Sequence, residues 1–125
     1  MQIIIDGYNL MYCMKLKGES FQEKRQSLID ELHQFLEVNN ADIVIVFDGH
    51  RNLSVHKSIE KQGKIKIIYS ANNQTADDVI IEMIKNRKIK ARNIVVVTSD
   101  RKIIDYAVLN RIKIVKSMDF AEYFE

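Results

Sequence analysis

Proline is absent from the 125 residues, which include four glycines and one cysteine. The scarcity of proline and glycine argues against flexible linkers, and no internal repeat or low-complexity tract is visible. A single cysteine, Cys13, excludes an internal disulfide and a cysteine metal cluster. We therefore expect a reducing, cytoplasmic environment for this chain.

Long apolar runs are also missing, since the longest, such as residues 43–47, hold only a handful of side chains. We therefore expect no membrane-spanning segment. The N-terminus lacks a basic region and a cleavage site, so we expect no signal peptide. Hydrophobic residues make up 46% of the chain and charged residues 29%, as in globular domains. The length predicts a single domain over residues 1–125.

The net charge of +2 is unevenly distributed, because the first 50 residues are acidic and the remainder is basic. The densest basic stretch lies at residues 85–92. Such asymmetry indicates an anionic partner. Cations at the end of a helix also suit its dipole, so both interpretations fit this stretch.

Two kinds of segment alternate along the chain. Apolar, β-branched runs predict strands at residues 2–5, 42–47, 64–69, 93–97 and 111–115. Helical spacing predicts helices at 21–36, 75–87, 100–110 and 117–124, with Ser20, Thr75 and Ser117 as capping residues. Residues 49–63 read as an irregular excursion. This order predicts a three-layer α/β/α sandwich with a mainly parallel sheet.

Aspartates follow three of the predicted strands, and an acidic pair begins a helix. Asp6, Asp48 and Asp100 follow strands, whereas Asp77 and Asp78 lie in a first helical turn. Strand carboxyl ends and helix N-termini share one edge of a parallel sheet, so we predict one acidic site there. Clustered carboxylates need a cation, and oxygen ligands suit Mg²⁺ or Mn²⁺. Such a site suits phosphodiester hydrolysis by a metal-activated water.

These acidic residues also have purely structural interpretations. Asp6 and Asp48 each precede glycine, so either could simply form a turn. With Thr75 as the N-cap, Asp78 has the spacing of a capping box, which competes with its candidacy as a metal ligand. Asp77 is freer to enter the site. Several such residues on one edge favour a shared acidic site over separate coincidences.

Four short motifs resemble those of NYN domains, a PIN-like nuclease group. They are I-D-G-Y-N-L from Ile5, V-F-D-G from Val46, Q-T-A-D-D from Gln74 and V-T-S-D from Val97. Each is weak alone, but together they occur in the family's order. The resemblance is closest to the YacP-type branch of bacterial ribosome-associated endoribonucleases.

This resemblance implies a PIN-like, Rossmannoid fold and a Mg²⁺- or Mn²⁺-dependent endoribonuclease whose partner is RNA, including RNA on the ribosome. Asp6, Asp77 and Asp100 match the family's acidic metal site, and Asp48 matches its second-motif acid. Asn9 matches the signature asparagine and joins the catalytic candidates. Its amide could orient Asp6 or a metal-bound water, or form a local turn bond.

Cations near the acidic residues are candidates for binding phosphate, which positions RNA without reading its sequence. Arg51 and Arg101 closely follow site aspartates. Arg25 falls where YacP-type chains often have arginine, although a solvated helix face would also explain it. Further basic candidates are Lys57, Lys61, Lys64, Lys66 and Lys102.

Polar and aromatic residues near the same edge are further candidates. Tyr8 could stack on a base, although packing in the core is the favoured alternative. Tyr12 lies near the same edge. Ser99, like Thr98, could bind phosphate, and Ser99 or Asp100 could instead cap the following helix.

Other functions stay open at this point. A non-catalytic RNA-binding module would bind RNA without metal-dependent cleavage. A toxin-like PIN ribonuclease and a structure-specific DNA nuclease share the same metal chemistry. A dehalogenase-type phosphatase would need Asp-x-Asp after the first strand, where this chain has Asp6-Gly7-Tyr8. A P-loop is excluded because the glycine–lysine motif is missing.

Overall fold

Strands and helices alternate through residues 1–49 and 57–125, which are the residues described by the computed structural model. The strands are β1 (Gln2–Asp6), β2 (Asp42–Phe47), β3 (Ser58–Gln62), β4 (Ile65–Tyr69), β5 (Ile94–Val97) and β6 (Lys113–Val115). The helices are α1 (Gly7–Met11), α2 (Phe21–Val38), α3 (Ala76–Lys85), α4 (Arg101–Leu109) and α5 (Ser117–Ala121). None of the helices in this described part is long and apolar enough to cross a membrane.

The six strands form one mixed sheet in the order β3-β4-β2-β1-β5-β6. β1 lies in the interior and pairs in parallel with β2 and β5, and β4 and β6 extend the parallel part outward. β3 alone runs antiparallel, beside β4 at one edge. The α/β class and the mainly parallel sheet agree with the prediction.

Alternate residues of the strands face opposite helical layers. Ile3 and Ile5 of β1 pack on the side of α1, α2 and α5, where Leu28 is buried. Ile4 faces the other side, where Ile80 of α3 packs together with α4. Side chains alternate along a strand with a period of two, so an apolar run supplies both cores at once.

Capping boxes begin two helices, as predicted. Ser20 and Glu23 bond reciprocally at the start of α2, and Thr75 and Asp78 do so at the start of α3. The prediction that Ser117 caps the last helix is wrong, because the preceding residue is the N-cap and Ser117 is the first residue of α5. Ser117 is instead buried and bonds elsewhere.

β3 contradicts the prediction of an irregular excursion over residues 49–63. Ser58–Gln62 pairs with β4 through a tight turn in which Gly63 has a φ of +59°. An edge strand pairs on one side only, and most side chains of β3 are exposed, so it carries no continuous apolar signal. Residues 50–56 of the predicted excursion lie outside the described residues.

Candidate active site

Four aspartates from separate segments line one open cleft of about 340 Å³ at the carboxyl edge of the sheet. Asp6 ends β1, Asp48 follows β2, Asp77 lies in the first turn of α3, and Asp100 precedes α4. The strand-end argument predicts this convergence, and the structure shows it. The catalytic and metal-binding roles of these residues are predictions.

Glycines let the strand ends approach closely at this edge. A Cβ on Gly7 would lie 2.5 Å from the ring of Phe47. A Cβ on Gly49 would overlap the backbone oxygen of Ser70, whose hydroxyl accepts a hydrogen bond from the Gly49 N–H at 2.8 Å. Positive φ angles are found at other glycines. Close packing, and not turn geometry, therefore explains glycine after the two strand-end aspartates.

Asp6 has the most perturbed environment in the cleft. Burial raises the pKa of its carboxyl from 3.8 to about 6, against the lowering effect of a hydrogen bond from Thr98. Charges on Asp100, Asp77 and Asp48 contribute smaller parts of this rise in pKa. The hydroxyl of Thr98 donates to Asp6 Oδ2 at 3.0 Å. Asp6 is thus held in place while its charged form is disfavoured.

Asp100 joins the cleft to the start of α4. Its Oδ1 accepts from the backbone N–H groups of Lys102, at 2.9 Å, and Ile103, at 3.3 Å, and so caps the helix. Its own N–H donates to the Thr98 hydroxyl at 3.0 Å. Thr98 therefore connects the backbone of Asp100 to the carboxylate of Asp6. The capping alternative for Asp100 holds, and it coexists with a position in the cleft.

The two acids at the start of α3 have different surroundings. Asp78 accepts from the Thr75 N–H at 3.1 Å, and these bonds with Thr75 lower its pKa. Asp77 lines the cleft and contacts the Thr75 hydroxyl. Lys102 Nζ lies 3.5 Å from Asp77 Oδ2 and 3.5 Å from Asp78 Oδ1, and these charges raise the pKa of Lys102. The bonds of Asp78 favour its capping role.

The donor set fits a hard divalent cation by type and by place. Several carboxylates share one cleft, and the raised pKa of Asp6 marks a position where an added cation would favour the charged form. Within residues 1–49 and 57–125, no three carboxylate, imidazole or thiol groups stand close enough together to hold a metal ion. Coordination of Mg²⁺ or Mn²⁺ would therefore require the carboxylates to turn inward.

The side chain of Asn9 bonds to two other segments beside the cleft. Its Oδ1 accepts from the Ser99 N–H at 2.8 Å and from the Ser117 hydroxyl at 2.6 Å. The Ser117 N–H donates to the Ser99 hydroxyl at 3.3 Å. Asn9 thus bonds over long range and does not orient Asp6 through a described hydrogen bond. The hydroxyl of Ser99, a phosphate-binding candidate, is engaged with α5.

The structure separates the two tyrosines near the cleft. Tyr8 is 7% exposed and packs edge-on against Phe21 and Phe47. In this position its ring belongs to the core and offers little surface for base stacking. Tyr12 is 65% exposed and lines the cleft. The favoured alternative for Tyr8, packing in the core, is therefore confirmed, and the candidate role in base stacking is not supported.

The three arginine candidates differ in position. Arg25 lies in α2 with its guanidinium 5.5 Å from the ring centre of Tyr69 and 5.9 Å from that of Phe47. Arg101 is exposed and pairs with Asp105, one helical turn along α4, at 3.4 Å. Arg51 lies outside the described residues. Arg25 is thus beside the carboxyl ends of β2 and β4, and Arg101 is on the outer surface.

The sequence analysis did not predict the structural roles of three residues at the site. Thr98 supports Asp6, Ser117 holds Asn9, and Lys102 pairs with Asp77. A hydroxyl residue two positions before a strand-end aspartate was a signal for Thr98. Lys102 had only its place near Asp100 as a signal. No local pattern could have linked Ser117 to Asn9.

A mainly parallel α/β sheet with an acidic cleft at its carboxyl edge has its candidate site where open α/β sheets bind ligands, an arrangement compatible with a nuclease-like domain. The sequence model of the YacP-like NYN domain matches residues 3–125. The chain therefore belongs to the YacP-like NYN domain family.

Two comparisons with proteins of Bacillus subtilis agree with this membership. The chain is 28% identical to YacP over 102 residues, which are 78% of this chain and 59% of YacP. It therefore spans less than two thirds of that relative. A crystal structure of Rae1 (YacP), a tryptophan-to-leucine mutant, aligns with a TM-score of 0.78 and 22% identity, over 98% of this chain and 73% of that one.

A second crystal structure of Rae1 (YacP) from the same organism aligns with a TM-score of 0.73 and 23% identity. It covers 98% of this chain and 72% of the Rae1 chain. At these identities the likeness shows that the two proteins share a fold.

Proposed function

We propose that this chain is a Mg²⁺- or Mn²⁺-dependent endoribonuclease that hydrolyses phosphodiester bonds of RNA in the acidic cleft. The observation that carries the proposal is the cleft itself. Asp6, Asp48, Asp77 and Asp100 reach it from four separate segments of a YacP-like NYN domain. Carboxylates gathered at a desolvated edge cost stability, which a function in catalysis would explain.

Asp6, Asp77 and Asp100 would hold the cation, and Asp48, which lines the same cleft, would support it. A bound divalent cation supplies Lewis acidity to the phosphate and lowers the pKa of an attacking water. Asp6 gains most from the cation, because its pKa is raised by burial and by the other three carboxylates. Asp78 would remain with Thr75 in the capping box.

The residues around the carboxylates set their positions. Thr98 holds Oδ2 of Asp6 and the backbone of Asp100, so the ends of β1 and β5 keep a fixed separation. Lys102 partly offsets the charge of Asp77 while no substrate is bound. Because the cleft is open, a polymer can lie across it without entering an enclosed pocket.

The proposed substrate is a cytoplasmic RNA, and RNA on the ribosome is the first to test because the family resemblance implies it. Basic candidates near the carboxyl edge include Arg25 and Lys102. Such cations would contact phosphates and would not distinguish one RNA sequence from another. Specificity for one RNA would then come from base contacts or from the ribosome.

A non-catalytic RNA-binding domain is the second candidate function. It is favoured by one observation, that no three potential ligands among the described residues stand at metal-holding distance. This candidate predicts RNA binding that EDTA does not change and an absence of internal cuts.

The test is cleavage of an end-labelled single-stranded RNA in Mg²⁺ or Mn²⁺, with EDTA as a control. The Asp6→Asn/Asp77→Asn variant should lose at least roughly 100-fold in rate, the scale of losing catalytic charge stabilisation. Asp30→Asn/Asp42→Asn is the matched control. It makes the same change of charge at two exposed aspartates outside the cleft, and it should cleave like the wild type.

Metal-dependent internal cuts that disappear in the cleft variant alone would support the proposal. RNA binding without cuts, in both metals and on several RNAs including ribosome-bound RNA, would favour the non-catalytic candidate. Cuts that persist in Asp6→Asn/Asp77→Asn would show that the proposed site is wrong.

A further inference from the structure

A brace of hydrogen bonds made by Asn9, Ser99 and Ser117 lies beside the cleft. The partners of Asn9 are 90 and 108 residues away along the chain. Ser117 is completely buried and Asn9 is half-buried, so the 2.6 Å bond from the Ser117 hydroxyl to Asn9 Oδ1 is partly shielded from water. Breaking this bond would leave the buried hydroxyl of Ser117 without its partner, so the bond holds the amide of Asn9 in one orientation.

The backbone N–H of Ser99 identifies which atom of the Asn9 amide points toward Ser99 and Ser117. An N–H can only donate, so the atom opposite it must be the carbonyl Oδ1 and not Nδ2. The hydroxyl of Ser117 then donates to the same oxygen. An amide oxygen has two lone pairs, and these two bonds use both of them. No lone pair of Oδ1 is left to coordinate a cation.

The NH₂ end of Asn9 has no such engagement. Within residues 1–49 and 57–125, Nδ2 donates no hydrogen bond, and Asn9 lines the cleft with the four aspartates. Asn9 is only half-buried, so this group can meet a ligand. This neutral group offers two N–H donors at the wall of a cleft whose charged residues, among those that the structure describes, are all aspartates.

We infer that Asn9 Nδ2 donates a hydrogen bond to a non-bridging phosphate oxygen of RNA, and that Ser117 is the positioning residue that keeps this donor available. The inference rests on the proposed function and deepens it. It makes Asn9 a substrate-binding donor and not a metal ligand. Donors to a phosphate oxygen are stronger than neutral pairs and gain further as charge develops on the oxygen.

Two variants of Asn9 test the donor. Asn9→Asp keeps an acceptor for Ser99 and Ser117 and so preserves the brace, but it removes both N–H donors. Asn9→Ala removes the donors without adding charge. Both variants should lose roughly 10- to 100-fold in kcat/KM at saturating Mn²⁺, the scale of one hydrogen bond to a charged group. Thermal unfolding checks that each variant is folded.

A second readout separates a donor from a metal ligand. The Mn²⁺ concentration at half-maximal thermal stabilisation, measured without RNA, should stay within about twofold of wild type in Asn9→Ala. A tenfold or larger shift, with cleavage restored by excess Mn²⁺, would make Asn9 a metal ligand and overturn the inference. Unchanged kcat/KM in folded Asn9→Asp would overturn it as well.

Fluorescence anisotropy with a labelled single-stranded RNA keeps this test independent of cleavage. If the wild type cuts no RNA, the proposed function fails, and the affinity measured in Mn²⁺ then decides the inference. A roughly 10-fold or larger weakening in both Asn9 variants supports the phosphate contact. Equal affinity in wild type and both variants overturns it.

The role of Ser117 is tested by a double-variant cycle. Ser117→Ala should lower kcat/KM by a smaller factor than Asn9→Ala, because Asn9 keeps its bond to Ser99. In the Asn9→Ala background, Ser117→Ala should have no further effect on kcat/KM, since a positioning residue acts only through its partner. An equal loss in both backgrounds would show a merely structural role and overturn the positioning.

Discussion

The faces of the sheet and its carboxyl edge are built from the same strands, but burial has opposite effects in the two regions. Ile5 of β1 is fully buried among apolar side chains and gains free energy by leaving water. The next residue, Asp6, is a carboxylate whose pKa burial raises to about 6. Removing its charge from water costs free energy. Stability therefore comes from the faces, and the edge retains an unfavourable charge cluster.

The largest expected change in stability is the loss of a core side chain on one face. Leu28→Ala should lower the free energy of unfolding by about 2–5 kcal/mol, because Leu28 is fully buried. Val38→Ala in the same helix is the control, since Val38 is 85% exposed and should change little. Urea unfolding measures both. Equal losses would mean that α2 does not pack as described.

Gly49→Ala tests whether one position at the carboxyl edge is packed as tightly as the core. Its new Cβ would overlap the backbone oxygen of Ser70, so we expect a loss of about 1–3 kcal/mol or more. Gly63→Ala is the comparison. There the Cβ would have room but φ is +59°, so the cost is conformational, about 1 kcal/mol. A smaller loss at Gly49 than at Gly63 would contradict close packing beside Asp48.

Asp6→Asn should stabilise the protein in EDTA at pH 7 by about 1–2 kcal/mol, because it removes a desolvated charge next to other carboxylates. The amide oxygen can still accept from Thr98. Asp42→Asn, an exposed aspartate at the start of β2, should be neutral. Thermal unfolding measures the difference. A destabilised Asp6→Asn would show that the charge of Asp6 is favourable in the native state.

The same variant predicts a pH dependence. Between pH 3.8 and about 6 the native protein holds more proton at Asp6 than the unfolded chain does, so this group lowers wild-type stability as the pH rises. Asp6→Asn lacks this effect. The stability advantage of the variant should therefore grow from pH 4 to 6 and level off by pH 7. An advantage that is constant over this range would contradict the raised pKa.

The smallest expected effect is that of Lys102→Met, because Lys102 is exposed and its ion pairs are screened by solvent. It should lower the unfolding temperature slightly at low salt and not at high salt. The variant should also lower the Mn²⁺ concentration at half-maximal thermal stabilisation by a factor on the order of two to three. The reason is that the lysine ammonium, which competes with Mn²⁺ near Asp77, is removed. Lys88→Met is the control, because Lys88 is exposed, follows the C-terminal end of α3 and does not line the cleft. A higher Mn²⁺ concentration at half-maximal stabilisation would contradict competition between Lys102 and Mn²⁺.

Much of the fold could be predicted because it follows from local patterns. The apolar run of β1 with Asp6 at its end predicts a buried strand and a polar edge, and the Thr75 capping box predicts the start of α3. β3 could not be predicted, because an exposed edge strand has no periodic apolar signal. Its pairing depends on β4, which supplies the hydrogen bonds.

The sequence by itself determined the class of fold, the family motifs and the edge at which the four aspartates meet. Those features follow from apolar periodicity and from the rule that parallel strands end at one edge. Only the tertiary structure decided that Tyr8 is buried while Tyr12 is exposed, and that Ser117 holds Asn9. Burial and hydrogen bonds between distant segments depend on packing, which no local pattern contains.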